Sequence, residues 1–255
     1  APVYVADGVS FENVVAIHLQ RYSESIGIKT GFEQLRSAWP PAAEENPGLD
    51  KEENVNEKVG TMLKIGNEDV NMIVKFFNDA RAVPDCKQAA LVLRQGVPNA
   101  QGPDVMKFEA NYTENRLEVS LYQAKNWAKT RSNTNMKKAA KSLGVDAETK
   151  DCVPVTGSAG YSYQAMRKMC KTVAEGMGMR TEIVKRVIVF AYKASERSPS
   201  DDEDFGNGVE LWSREMLEPT ISALVVARDE DDKEKIIEDE KNGFEDPTLS
   251  PLVEG

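Results

Sequence analysis

Cations and flat side chains alternate along one stretch of this sequence: Tyr122, Lys125, Trp127, Lys129 and Arg131, followed by Lys137, Lys138 and Lys141. Those are the two kinds of group that hold a single-stranded nucleic acid, because ammonium and guanidinium groups neutralise phosphates while aromatic faces stack on bases. Further on, Gly157-Ser158-Ala159-Gly160-Tyr161-Ser162-Tyr163 opens a helix that carries Arg167, Lys168 and Lys171 on its polar side. Free amides at such a helix start point outward and attract anions. The pattern nominates Lys125, Lys129, Arg131, Arg167, Lys168 and Lys171 as phosphate contacts, with Trp127, Tyr161 or Tyr163 stacking on a base. Tyr and Trp are also common core residues, so each aromatic taken singly has packing as its competing role.

Catalytic chemistry finds little support. The one histidine, His18, falls on the apolar stripe of the first helix, where a core or interface role is expected. Cys86, Cys152 and Cys170 are 66 and 18 residues apart with no C-x-x-C pair, which leaves neither a structural zinc site nor a disulfide framework. Thr156-Gly157-Ser158-Ala159-Gly160 fails as a nucleophile elbow because Thr156 stands where a glycine is required. Gly27-Ile28-Lys29-Thr30-Gly31 lacks the glycines of a phosphate-binding loop, and Gly206-Asn207-Gly208 lacks the third glycine of a dinucleotide loop. The acidic runs Asp201 to Asp204 and Asp229 to Asp232 are adjacent carboxylates without the spacing of a calcium loop. No catalytic residue, metal or cofactor is expected.

Charge is distributed unevenly. The 255 residues carry a net charge of -10, but residues 1–113 carry -5, residues 114–197 carry +8 and residues 198–255 carry -13. A basic middle is suited to a polyanion, since clustered cations release condensed counterions on binding. The acidic flanks argue against a freely diffusing nucleic-acid binder and are better suited to an ordered array in which they face away. No apolar run is long enough to span a membrane, because Val187 to Ala191 is bounded by Lys185, Arg186 and Lys193. The N-terminus lacks the pattern of a secretory signal, and the three cysteines fit a reducing, cytoplasmic-type compartment.

Helical stripes must position the basic residues. Phe11, Val14, Val15, His18, Leu19 and Tyr22 follow a Ser10 cap, and Val70, Ile73, Val74 and Phe77 recur at helical spacing before Pro84. Asp85 caps a further helix through Leu91 to Gly96, Asn133 to Leu143 forms a short basic helix stopped by Gly144, and Tyr161 to Met177 carries a broad apolar stripe. Thr181 to Ala194 and Val209 to Arg228 complete the core. Between Val105 and Tyr122 the period shortens towards 2 around Thr113-Glu114-Asn115, which admits a small β-hairpin, although Leu117, Leu121 and Ala124 also fit one helical face. The expected architecture is mainly α. Residues 1–53 form an N-terminal arm with a helix and a Pro/Glu-rich linker, residues 54–228 a single helical core domain with the basic stretch 114–197 at its middle, and residues 229–255 an acidic C-terminal tail.

In layout the chain resembles the coat or nucleocapsid proteins of filamentous RNA viruses. That resemblance implies a mainly helical subunit that holds single-stranded RNA in a basic groove, polymerises with other copies of itself through terminal arms, and resides in the virion and host cytoplasm. The competing expectation is a helical adaptor whose acidic tail engages a basic protein. Within the tail, Ile236, Ile237, Phe244, Leu249, Leu252 and Val253 are the apolar residues an arm would use as anchors on a neighbouring subunit. Deleting residues 229–255 is expected to leave the core folded and to shorten or abolish assemblies. Assemblies of normal length from the truncated chain, viewed by electron microscopy, would leave the tail a solubility role alone.

Overall fold

The structure is a computed structural model that describes residues 11–35, 67–95, 102–125, 133–146, 157–191 and 208–222. Its centre is a hairpin. Strands β3 (Val105–Asn111) and β4 (Arg116–Lys125) pair antiparallel from Val105↔Tyr122 to Asn111↔Arg116. Asn111 makes the reversal, its Oδ1 accepting from the amides of Thr113 at 3.1 Å and Glu114 at 3.0 Å. Asn115 follows with φ +54, a conformation that asparagine tolerates better than other side-chain-bearing residues.

The remaining strands extend the hairpin on both sides. β1 (Lys29–Gln34) runs parallel to β2 (Gln88–Arg94), and β2 pairs antiparallel with β3. On the other side β4 runs parallel to β5 (Arg180–Phe190), and β5 parallel to β6 (Val209–Trp212). The sheet order is β1-β2-β3-β4-β5-β6, and β3 alone runs against the rest. Among the described residues, α1 (Phe11–Ser25) precedes β1, α2 (Asn67–Arg81) lies between β1 and β2, and α3 (Asn133–Ser142) and α4 (Gly157–Met177) lie between β4 and β5. A short 3₁₀ turn, Arg214–Leu217, follows β6. The compact unit ends at Leu217, and residues 218–222, which are helical, belong to a second unit.

Each face of the sheet has its own helices. α1 packs on β1 to β4 through Phe11, Val14, Val15 and Leu19. On the opposite face α2, α3 and α4 enclose the main core, where Ile73, Phe77, Met136, Met166 and Val173 meet Leu91, Phe108, Val119, Leu121 and Phe190. Strand alternation explains the division, since Met106, Phe108 and Ala110 point one way and Val105 and Lys107 the other. α2 is well matched to its dipole, with Glu68 and Asp69 in its first turn and Arg81 in its last.

The mixed sheet overturns the mainly α expectation, since strand makes up 35% and helix 44% of the described part. The segment read as a helix capped by Asp85 is β2, where Ala89 to Leu93 are buried on both faces. A fully buried strand reads as a continuous apolar run, and such a run has no period of 2 to betray it. The stretch from Thr181 is β5, rich in the β-branched residues that favour a pleated surface. Val209 begins a strand of four residues rather than a helix to Arg228. The helices α1, α2, α3 and α4 and the β3–β4 hairpin do appear where their patterns lie. The Pro/Glu-rich linker and the acidic tail fall outside the described residues.

Phe77 is fully buried between α2 and the sheet. Phe77→Ala is expected to cost about 3–5 kcal/mol, measured by urea denaturation, because the cavity adds to the lost transfer energy.

Candidate anion-binding groove

Helix α4 has two sides. Met166, Met169, Cys170, Val173 and Ala174 are buried, while Arg167, Lys168, Lys171 and Glu175 face outward. The outward side stands over the first half of β5, and between them runs an open groove of about 960 Å³. Arg167, Lys168 and Lys171 line it from the helix, and Arg180 and Arg186 from the strand. Two carboxylates, Glu175 and Glu182, oppose these five cations. The Lys171–Glu175 pair, at 3.7 Å and well exposed, contributes little stability, and the two carboxylates leave the described lining a net charge of +3 from five cations and two anions.

The floor between the cations is largely apolar, built from Ala174, Met179, Ile183 and Cys170. Thr181 Oγ1 is buried there without a hydrogen-bond partner. Burial pushes the Cys170 thiol up to about 12, so it stays protonated and is no nucleophile. A groove with cationic walls and an apolar floor suits a ligand with anionic groups along a chain and flat, weakly polar groups between them.

Tyr163 fixes the arginines. Its ring is 4% exposed, so the stacking role expected for it does not fit, and it serves the groove from the core. The hydroxyl accepts a hydrogen bond from Arg186 Nη2 at 2.9 Å, and Arg186 Nε donates to the Leu143 carbonyl at 3.2 Å. The guanidinium of Arg167 lies 5.9 Å from the centre of the same ring. Beneath the ring is Gly144, at φ +80, where a Cβ would collide with Tyr163 ring carbons. The glycine that stops α3 therefore also makes room for the tyrosine that anchors Arg186.

Of the other expected site residues, Arg167, Lys168 and Lys171 do come together on the groove wall. Lys125 does not join them. It ends β4 opposite Phe190, whereas the groove runs along β5 from Arg180 to Arg186. There its charge opposes the ionisation-suppressing burial of Asp104, whose carboxyl is pushed up to about 7 by desolvation first, with Glu12 adding to the rise. Trp127, Lys129, Arg131 and the tail residues Ile236, Ile237, Phe244, Leu249 and Leu252 lie outside the described residues, as does the Tyr161 side chain. Arg180 and Arg186 were missed. In the sequence Lys185 and Arg186 stand out only as charges bounding an apolar run, and reading a helix from Thr181 scatters Thr181, Ile183 and Arg186 around different faces.

His18 is half-buried, its ring edge-on to Trp212 at 6.3 Å, and burial lowers its pKa. Among the described residues no three His, Cys, Asp or Glu side chains converge to hold a metal, and no helix is long and apolar enough to cross a membrane.

Tyr163→Phe, which keeps the ring and removes the Arg186 acceptor, is expected to cost about 1–2 kcal/mol in urea denaturation. Gly144→Ala should cost more, because it displaces the ring itself. Comparison with protein-family models, with curated proteins and with solved structures found no match.

Proposed function

We propose that this chain binds single-stranded RNA through the groove between α4 and β5, with Arg167, Lys168, Lys171, Arg180 and Arg186 on its phosphates and the apolar floor against its bases. The supporting observation is the convergence of five cations on one groove in a chain whose net charge is -10. Two consecutive elements, α4 and β5, contribute to it, and a buried tyrosine accepts a hydrogen bond from Arg186 and lies 5.9 Å from the Arg167 guanidinium. On this reading the protein is a binding protein and not a catalyst. Polymerisation around the RNA, through the acidic tail outside the described residues, is the second half of the proposal; it no longer draws support from a helical subunit fold, and residues 11–35 of the expected N-terminal arm are built into the sheet unit.

Fluorescence anisotropy with a labelled oligoribonucleotide over a salt series tests the groove. Arg167→Ala combined with Lys171→Ala should reduce the log-log salt slope by about 1.4, or roughly 0.7 for each phosphate of the single strand that is no longer neutralised. An unchanged slope in the folded double variant overturns this placement. Size-exclusion chromatography with and without RNA tests the second half: large RNA-bearing assemblies support it, and a small RNA-free species points instead to the adaptor.

A further inference from the structure

Where the β3–β4 ladder ends, the pairing of Val105 with Tyr122 sets Asp104 beside Gln123. The Asp104 amide donates to the Tyr122 carbonyl at 2.9 Å, and its Oδ2 accepts from the Ala124 amide at 2.8 Å and from Gln123 Nε2. Gln123 is 3% exposed, and its Oε1 is buried with no hydrogen-bond partner. The side-chain pair therefore has one acceptor too many. A carboxylate has no hydrogen to offer the amide oxygen, whereas a carboxylic acid has one. An acid and a primary carboxamide can pair in a ring, with the amide N–H on one carboxyl oxygen and the carboxyl O–H on the amide oxygen.

We propose that Asp104 and Gln123 form a proton-operated latch that ties the start of β3 to the end of β4, closed as a cyclic acid–amide pair when Asp104 carries a proton and opened when that proton is lost to solvent. Among the described residues two charged groups face the carboxyl: Lys125, from β4, favours the ionised form, and Glu12, from the first turn of α1, favours the protonated one. Withdrawal from water outweighs both and places the titration at about 7. The fold prefers the protonated acid, so the latch contributes fully at low pH and its contribution is lost as pH rises through about 7. Lys125, the next residue after the Ala124 anchor, opens the stretch of cations and aromatics that runs to Arg131. The latch thus lies at the root of that stretch.

Nuclear magnetic resonance of the full chain, following the Asp104 carboxyl carbon and the Gln123 side-chain amide from about pH 5 to about pH 8.5, tests this directly. Both signals are expected to move with one shared midpoint near neutrality. A carboxyl midpoint in the ordinary aspartate range, or a Gln123 amide that stays still while Asp104 titrates, overturns the latch. Thermal unfolding gives an independent measure: relative to Asp104→Asn, which is neutral at every pH, the wild-type Tm should fall by several degrees from acid to mildly alkaline solution. A difference that does not change with pH also overturns it.

Discussion

The pairing of β3 with β4 is the constraint from which the other contacts take their positions. Because side chains alternate along a strand, a slip of one residue would turn Phe108, Val119 and Leu121 away from α2 and α4 and carry Lys107 into the core. The turn prevents the slip. The two amide bonds to Asn111 Oδ1 fix the reversal, and Asn115 Nδ2 donates to the Gly178 carbonyl at 2.9 Å, which holds the turn against the end of α4. The same turn thereby sets where β5 begins, for the Arg180 amide donates to the Asn115 carbonyl at 3.1 Å.

The groove takes its composition from an irregularity in β5. Val119 pairs with Ile183, but the next residue, Ser120, pairs with Lys185, so Val184 is an extra residue in the strand. Regular alternation would put residue 185 on the same face as Thr181 and Ile183. The bulge puts Arg186 there instead, within reach of Tyr163 and the Leu143 carbonyl. Lys185 goes to the opposite face, where it pairs with Glu210 at 3.0 Å and lies 5.0 Å from the Trp212 ring centre. One inserted residue decides which of two adjacent cations faces the groove.

What could be read from the sequence follows the same physics. Amphipathic helices announce themselves by period, and Ile73 with Phe77, or Met169 with Val173, fall on their buried faces as their spacing requires. The hairpin showed through the alternation of Phe108, Ala110 and Tyr112. β2 and the second half of β5 are buried on both faces, and their runs of apolar residues carry no period at all. Half of the groove was legible, because Arg167, Lys168 and Lys171 share one side of a helix. Arg180 and Arg186 were hidden because their placement depends on a strand, a bulge and a tyrosine that no local pattern contains. The latch was hidden for a similar reason, since Asp104 and Gln123 are 19 residues apart in the chain and meet only through the hairpin register.

Net charge is a weak guide to what such a groove attracts. At physiological ionic strength the field of an exposed charge decays over about 8 Å, so a phosphate entering between α4 and β5 responds mainly to the side chains lining the walls. Among the described residues those carry five positive charges against two negative ones. Carboxylates elsewhere in the chain act at longer range. If the groove takes RNA as proposed, each further phosphate seated along its walls adds a short-range contact, and the carboxylates elsewhere, screened over about 8 Å, offset only part of that gain.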